Sequence, residues 1–352
     1  MGSILKTYLG ITVQTATNLT AKNSLLSTEL GQLITAYQFS QAIYVVTKLG
    51  IPDLLKDGPR DSKDLALSTG ANADNLYRVM RALTIVKVFD EDEEGRFRLT
   101  LLGESLRKDA PDSEHYAPLI HCEELYRSFG ELLNSVRFGK PAFELAYGAN
   151  LFQHLEKHPD RAKIWDTFFS RGDVSFKVAD AYDFSSHSRV VDVGGGRGHV
   201  LASILRKNRA LKGVLFDRAP VVEGAKAFLD SAGVRDRCEI VGGSFFDFVP
   251  EGGDIYILSQ IIHDWDDQLC NTILNKVRKA MRDNGKLLLV DGVVLPGHKS
   301  PAVIRADLNI LAIGGKERTS EEFRSLLSSA GFRMTRVLPL DERWSIVEAV
   351  PI

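Results

Sequence analysis

From residue 188 onward, five short and almost wholly apolar runs alternate with helical stretches. The runs are SRVVDV (188–193), GVLFD (213–217), CEIV (238–241), DIYILS (254–259) and KLLLVD (286–291). Apolar residues at nearly every position are typical of strands that are buried on both faces of a parallel sheet. Their alternation with helices predicts right-handed βαβ crossovers and therefore a doubly wound α/β domain. Residues 331–340 and 343–350 then predict an antiparallel hairpin at the sheet edge.

The chain before residue 188 shows helical periodicity instead. In residues 33–55 apolar side chains recur at intervals of three and four, which predicts helix. The segment is more hydrophobic than a single surface helix needs to be, and this favours a role in dimerisation. Residues 61–102 predict two helices and then two short strands around an acidic turn, which is the winged-helix pattern. A DNA-binding winged helix is normally basic, but the segment from Asp74 to Arg98 has five basic and six acidic residues. We therefore favour a structural or dimerisation role and keep DNA binding as the alternative.

A glycine cluster, VVDVGGGRGHVLASIL (190–205), joins the first strand to the helix that follows it. Glycines allow positive φ angles and let a ligand approach the backbone and the helix N–H groups beyond the turn. A dinucleotide motif G-x-G-x-x-G counted from Gly194 would need a third glycine at His199, and no G-K-[ST] follows, which excludes a P-loop. The pattern present is D-x-G-x-G-x-G, which resembles the first motif of S-adenosylmethionine-dependent methyltransferases. It consists of Asp192, Gly194, Gly196 and Gly198.

An acidic residue, Asp217, ends the next strand, 23 residues beyond Gly194. A carboxylate at this place can accept hydrogen bonds from both ribose hydroxyls of a nucleoside. It therefore supports nucleoside binding without choosing between cofactors. The alternative, in which the glycine turn is only a tight connection, gives no reason for this acid.

A histidine follows the strand DIYILS, in QIIHDWDDQLC (260–270). In open α/β sheets ligands bind beyond the carboxyl ends of the strands, which is where this places His263. A neutral imidazole is suited to removing the proton of a hydroxyl group near pH 7, although a lone histidine is more often structural. Asp264, Asp266 and Asp267 could suggest a divalent metal, but acidic residues are also favoured at a helix N-terminus. We predict no metal.

Several segments occur in order over most of the chain, and together they resemble one family. They are AYQFSQAIYVVTKLGIPDLL, the winged-helix stretch, VDVGGGRG, IIHDWDD and GGKERTSEEFRSLLSSAGF. The chain resembles small-molecule O-methyltransferases of the caffeate and hydroxyindole type, in their bacterial natural-product branch. The resemblance implies a Rossmann-like, doubly wound methyltransferase domain and a mainly helical, winged-helix-like dimerisation domain. We predict the dimerisation domain over 1–110, a helical linker and substrate-pocket region over 111–187, and the S-adenosylmethionine-binding domain over 188–352.

The resemblance also implies residue roles. His263 is the general base, and Asp291 and Glu317 flank it, as expected of carboxylates that orient an imidazole and stabilise the imidazolium. The implied cofactor contacts are Asp192, Gly194, Gly196, Gly198, Asp217, Ser244, Phe245, Ser259 and Trp265. The implied acceptor contacts are Phe169, Asp264 and Asn309. The chain departs from the family at Ser244, where Asp is frequent, at Ser259, where many plant members have Lys, and at Lys87, where Gly is frequent.

The implied reaction is the transfer of a methyl group from S-adenosylmethionine to a phenolic or enolic hydroxyl of a small aromatic metabolite, which leaves S-adenosylhomocysteine. Methylation of nitrogen, or a non-methylating reaction on the same scaffold, is the alternative within enzymes. A DNA-binding regulator that senses a ligand is the alternative of another class.

Composition bears on partners and compartment. Lys and Arg number 44 against 46 Asp and Glu, and the net charge of −2 gives no electrostatic reason to expect nucleic acid or an anionic membrane. Three separated cysteines predict a reducing compartment, and no apolar run reaches the length of about 20 residues that a membrane span needs. We expect a cytoplasmic homodimer that pairs through its N-terminal domain.

Overall fold

The computed structural model describes residues 29–169 and 174–352 of the chain. The described residues up to Tyr126 form one compact unit, and Arg127–Ile352 form a second. The predicted boundaries at residues 110 and 187 stay predictions. Among the helices in the described residues, none has the length and hydropathy needed to cross a lipid bilayer.

The first unit is helical with one small sheet. Its helices are α1 (Glu29–Thr35), α2 (Tyr37–Lys48), α3 (Ile51–Leu54), α4 (Ser62–Thr69), α5 (Ala73–Ile85), α6 (Leu101–Glu104) and α7 (Tyr116–His121). Its strands are β1 (Arg60–Asp61), β2 (Phe89–Glu91) and β3 (Arg96–Leu99), which pair antiparallel in the order β1-β3-β2. Lys87, between α5 and β2, has a φ of 59°, a left-handed conformation that favours glycine. This conformation gives a physical reason for the glycine that the family frequently has here.

A run of short helices leads into the second unit. They are α8 (Glu124–Gly130), α9 (Leu132–Phe138), α10 (Ala142–Tyr147), α11 (Leu151–Lys157), α12 (Pro159–Phe169) and α13 (Val174–Ala181). The helices of the sheet domain are α14 (His199–Lys207), α15 (Ala219–Glu223), α16 (Ala225–Ser231), α17 (Asp267–Ala280), α18 (Pro301–Ile313) and α19 (Ser320–Ser329). Short 3-10 turns lie at Arg235–Arg237, Ile262–Asp264 and Pro296–His298.

A seven-stranded sheet forms the centre of the second unit. Its strands are β4 (Arg189–Val193), β5 (Lys212–Asp217), β6 (Cys238–Gly242), β7 (Ile255–Ser259), β8 (Lys286–Asp291), β11 (Phe332–Pro339) and β12 (Ser345–Pro351). The order is β11-β12-β8-β7-β4-β5-β6, with β4 to β8 parallel and β11 and β12 antiparallel. Two further strands, β9 (Val293–Val294) and β10 (Arg318–Thr319), pair with each other. The predicted doubly wound fold is confirmed.

The sheet buries an apolar layer on each face, as the runs without polar alternation predicted. The order of the strands reverses beside β4, which has β5 on one side and β7 on the other. Ligands of open α/β sheets bind at such a switch point, outside the carboxyl ends of the strands. The glycine loop after β4 and the turn after β7 therefore meet at the same edge of the sheet.

Candidate active site

The glycine loop turns sharply between β4 and α14. Gly194, Gly196 and Gly198 have φ angles of 73°, 57° and 86°, a conformation that residues with a side chain rarely adopt. Gly195 occupies a position that the motif leaves unspecified, but glycine is required there for a different reason. A Cβ atom there would lie 2.5 Å from Oδ2 of Asp192. Close packing of the loop on this carboxylate thus explains the middle glycine, which the spacing argument missed.

Two carboxylates lie at the glycine loop. Asp192 is fully buried, and neither of its oxygens has a hydrogen-bond partner among the described residues. Burial, with the charge of Asp217 nearby, raises the pKa of Asp192 to about 7. Asp217 accepts hydrogen bonds from the backbone N–H groups of Gly196 at 2.8 Å and Arg218 at 2.6 Å, and burial raises its pKa. Within the described residues no cation forms an ion pair with either carboxylate, although the charge of Arg218 acts to lower the pKa of Asp217.

A cavity of about 400 Å³ opens beside these groups. Of the residues that the sequence assigned to cofactor and acceptor, most line it. They are Phe169, Asp192, Gly194, Gly196, Asp217, Ser244, Phe245, Ser259, Asp264 and Trp265, together with the proposed base His263. Two are not among the lining residues: Gly198 is the N-cap residue of α14, and Asn309 lies on α18. Asp291 and Glu317 do not line the cavity either, and they contact His263 instead.

His263 lies in the turn after β7, with only 4% of its surface exposed. Its Nδ1 atom is 3.1 Å from Oε1 of Glu317 and 3.6 Å from Oδ1 of Asp291, and its Nε2 atom is 3.6 Å from Oδ1 of Asp264. Burial alone would lower the pKa of the imidazole, but the three surrounding carboxylates raise it to about 9. Burial also raises the pKa of Asp291 to about 8 and that of Asp264 to about 6. The cluster therefore retains protons at neutral pH.

The three acidic residues that follow His263, which could suggest a metal site, make three different kinds of contact. Asp264 faces the imidazole, Asp266 caps α17 by accepting from the N–H group of Leu269, and Asp267 pairs with Arg318. Within residues 29–169 and 174–352, no group of three His, Cys, Asp or Glu side chains is placed to hold a metal ion. The two acids after Trp265 are therefore explained by helix capping and ion pairing.

Aromatic rings form one wall of the cavity. The indole of Trp265 stacks on Phe152 with ring centroids 5.0 Å apart and planes 21° apart, and Phe246 meets it edge-on at 4.9 Å. Phe152 lies on α11 and lines the cavity, although it belongs to none of the sequence motifs that predicted the site. No spacing rule connects a helix residue to an indole more than a hundred positions away. The guanidinium of Arg218 lies 5.9 Å from the centroid of the Phe152 ring.

Two serines at positions where the family frequently has charged residues also reach the cavity. The Ser244 hydroxyl accepts from the N–H group of Phe246 at 3.2 Å, so it stabilises the turn of its own loop. The Ser259 hydroxyl is buried and without a hydrogen-bond partner in the described part of the chain. Gln260, the next residue, has a φ of 58° although it is not glycine, and it lines the cavity. Such backbone strain is concentrated at functional sites.

Comparison with known proteins agrees with this architecture. A family model of the O-methyltransferase domain matches residues 129–333, and a model of the O-methyltransferase dimerisation domain matches residues 31–109. The chain is 44% identical over 331 residues to the phenazine O-methyltransferase PhzM of Lysobacter antibioticus, covering 93% of this chain and 97% of the relative. The structure of the mitomycin 7-O-methyltransferase MmcR matches with a TM-score of 0.87 and 33% identity, over 92% of this chain and 97% of that one.

Relatives with a different atom specificity are also similar. The phenazine-1-carboxylate N-methyltransferase of Pseudomonas aeruginosa is 31% identical over 330 residues, which are 93% of this chain and 97% of the relative. The family resemblance predicted from the sequence is confirmed, and with it the methyltransferase and dimerisation domains. The chain belongs to the O-methyltransferase family.

Proposed function

We propose that this chain transfers the methyl group of S-adenosylmethionine to a hydroxyl of a small aromatic natural product, with His263 as the general base. One observation carries the proposal. A buried histidine lines the same cavity as the glycine loop, while its Nδ1 atom is hydrogen-bonded to Glu317 at 3.1 Å. The Nε2 atom lies on the other side of the ring, 3.6 Å from Oδ1 of Asp264, and in the neutral imidazole it is the nitrogen that can accept the proton.

The residues at the glycine loop fit the cofactor. The Asp192 carboxylate and the Ser259 hydroxyl are buried and unpartnered in the described chain, so they are available to hydrogen-bond a ligand. S-adenosylmethionine carries hydroxyl and ammonium donors and a sulfonium cation, and when bound it supplies an electrophilic methyl group. We propose that Asp217 holds the ribose hydroxyls and that Phe245 and Trp265 contact the adenine. Asp192 and the glycine loop then face the remainder of the cofactor.

The carboxylates around His263 determine how strongly its imidazole binds a proton. They raise the pKa of the imidazole to about 9, close to the value of about 10 that is usual for a phenol. Transfer of the proton from a phenol to His263 is then nearly balanced in free energy, which favours the transfer step but leaves a smaller fraction of the imidazole neutral at pH 7. The consequence is that His263 is mostly protonated at pH 7 and works in its neutral minority form.

The acceptor is proposed to be a planar aromatic molecule. The relatives named above include a phenazine O-methyltransferase and a mitomycin 7-O-methyltransferase, and part of the cavity wall here is aromatic. Phe169 and Asp264 line the cavity as expected for acceptor contacts, and that role stays a prediction, as does the role of Asn309. The match to the dimerisation domain supports the proposal of a homodimer.

Incubation with S-adenosylmethionine labelled in its methyl group, and a panel of hydroxylated aromatics that includes 1-hydroxyphenazine and 2-naphthol, tests the reaction. We expect labelled methyl ethers from at least one hydroxylated acceptor. The matched molecules without the hydroxyl, phenazine and naphthalene, should give no product. Transfer of label to no hydroxyl in the panel, together with labelling of a ring nitrogen, would overturn the proposal.

Methylation of nitrogen is the second candidate, because a similar protein is a phenazine-1-carboxylate N-methyltransferase. Phenazine-1-carboxylate offers ring nitrogens and no phenolic hydroxyl, so a label that is found on a ring nitrogen, and not in the methyl ester of the carboxylate, would identify this activity. Filter binding to duplex DNA at low salt tests the regulator alternative. Tight, salt-sensitive binding would favour that alternative.

A further inference from the structure

Three consecutive residues of the segment GGKERT contact the turn that carries His263. A side chain at Gly315 would collide with the carbonyl oxygen of His263, so the two backbones are in direct contact. The N–H group of Lys316 donates to that same carbonyl at 2.8 Å. Glu317 then reaches the imidazole itself. The backbone and the ring of His263 are thus held from one short segment.

The next residue, Arg318, holds both ends of the turn. Its guanidinium donates through Nη1 to the carbonyl of Ile262 and through Nη2 to the carbonyl of Trp265, each at 3.0 Å. The Nε and Nη2 atoms also donate to Oδ1 of Asp267, at 3.0 and 2.7 Å. Only 1% of Arg318 is exposed, which makes it one of the largest fully buried side chains among the described residues. One planar group therefore joins the residues on either side of Asp264 and the base.

The chemistry of this contact depends on arginine. A guanidinium presents several N–H donors in one fixed plane, whereas a lysine ammonium is a flexible point charge that cannot reproduce the fork. A buried charge is costly unless it is paired and hydrogen-bonded, and Asp267 with the two carbonyls meets that need. Loss of the guanidinium would leave two buried carbonyls with fewer donors and would free the turn to relax. The imidazole and the indole would then move together.

We propose that Arg318 is a positioning residue that fixes His263 and Trp265 in one rigid turn, so that the base and the adenine wall of the cavity depend on the same side chain. The catalytic meaning of this inference rests on the proposed function. The positioning itself does not, because it can be measured without turnover. The guanidinium does not line the cavity, so it acts through the turn and has no contact with ligand.

Histidine labelled with carbon-13 allows the titration of His263 to be followed by NMR, with His263→Ala identifying its signal among the eight histidines. In Arg318→Met and Arg318→Lys, we expect His263 to titrate at a pH about one unit lower, because the ring leaves its carboxylates. Affinity for S-adenosylhomocysteine, measured by calorimetry, should fall about tenfold in both variants. Where an acceptor has been found, kcat should fall by about 100-fold.

The lysine variant separates positioning from charge. If Arg318 acted only as a nearby cation, Arg318→Lys would resemble the wild type, and Arg318→Met would raise the pH at which His263 titrates. Either result overturns the inference. Arg237 is a matched control, because it also donates to backbone carbonyls, those of Leu205, Asn208 and Leu211, away from the cavity. Arg237→Met should lower the melting temperature without moving the His263 titration.

A milder pair of variants decides the matter if the Arg318 variants do not fold. The Asp267 side chain is 65% exposed, and Asp267→Asn weakens its hold on Arg318. Asp266→Asn removes the same charge one residue away and keeps a good helix cap. We expect His263 to titrate at a lower pH only in Asp267→Asn. If His263 titrates at the same pH in the two variants, the inference is overturned. If the wild type fails to bind S-adenosylhomocysteine, the proposed function fails while the His263 titration still tests Arg318.

Discussion

Two groups of carboxylates lie at or beside the same cavity, and their charge is balanced in different ways. At the turn after β7, Asp264, Asp291 and Glu317 surround the imidazole of His263, which can carry a compensating positive charge. At the glycine loop, no cation pairs with Asp192 or Asp217 among the described residues, and the hydrogen-bond donors there are the backbone N–H groups that reach Asp217. We shall call the first the base cluster and the second the loop acids.

The difference indicates what each group is built to meet. In the base cluster the chain supplies its own cation, and the group can take up and release one proton with little change in structure. The loop acids have no cation in an ion pair. Asp217 has the charge of Arg218 nearby, whereas the charge of Asp192 is balanced only by protonation or by a ligand. This is why we assign proton transfer to the base cluster and binding to the loop acids.

Removal of the imidazole should have the largest effect. In His263→Ala we expect O-methylation of a phenolic acceptor to fall by about 10²- to 10⁴-fold, because a general base contributes about that much. Affinity for S-adenosylhomocysteine should hardly change, since the loop acids are untouched. Turnover assays and calorimetry check the two halves of this expectation. His158→Ala, on an exposed residue, is the control, and wild-type activity in His263→Ala would refute the assignment.

Truncation of a loop acid should weaken cofactor binding and leave kcat nearly unchanged, which is the opposite of the effect expected for His263→Ala. In Asp217→Ala we expect affinity for S-adenosylhomocysteine to fall by about 10- to 100-fold, because hydrogen bonds to a charged group are worth about 1.5–3 kcal/mol. At saturating cofactor, kcat should stay within a few fold of the wild type. Asp230→Ala, on the exposed end of α16, controls for the loss of one charge. A fall in kcat with unchanged affinity would break the distinction between the two groups.

The pH dependence of kcat tests the base cluster more finely. Because the pKa of His263 is raised to about 9, we expect the rate to rise between pH 7 and pH 9 as the imidazole loses its proton. In Glu317→Gln the pKa of His263 should fall, so the rising limb of the plot of kcat against pH moves to lower pH. The plateau value of kcat should drop about tenfold. Asp291→Asn should also move the limb to lower pH, because the charge of Asp291 is the largest single contribution that raises the pKa of His263. A limb that stays in place in both variants contradicts this account.

The sequence identified those parts of the site that depend on local pattern. The strands, the glycine loop and the placement of His263 after β7 follow from rules about parallel sheets, because the ends of neighbouring strands meet at one edge. The contacts of Phe152 and Arg318 could not be predicted in this way. Each depends on how distant segments pack, and no periodicity relates α11 or the GGKERT segment to the turn at His263.

Single residues within a motif show the same limit. Gly195 fills an unspecified position of D-x-G-x-G-x-G, yet the closeness of Asp192 requires glycine there. The hydroxyl of Ser244 stabilises its own loop, a contact that its place in the motif did not suggest. The motif states which residues recur, whereas the packing of the folded chain determines what each of them contacts.

The smallest effect concerns stability and isolates one loop acid. The pKa of Asp192 is raised to about 7 in the folded chain, against about 3.9 for an unfolded one, so folding retains a proton that the unfolded chain releases. The wild type without ligand should therefore lose stability as the pH rises from about 4 to 7. The variant Asp192→Asn has no proton to lose at this position and escapes this loss of stability. The difference in melting temperature, variant minus wild type, should therefore grow by a few degrees as the pH rises from 5 to 8.

Differential scanning calorimetry at several pH values measures this difference, and Asp230→Asn supplies the comparison for an exposed carboxylate. Because neither oxygen of Asp192 has a hydrogen-bond partner within the described chain, its replacement by the neutral Asn of similar shape relieves a buried charge without breaking a hydrogen bond. S-adenosylhomocysteine should narrow the difference at pH 8, since a bound ligand supplies donors to the wild-type carboxylate. A difference that does not vary with pH would show that Asp192 is balanced within the chain, and the contrast between loop acids and base cluster would then fail.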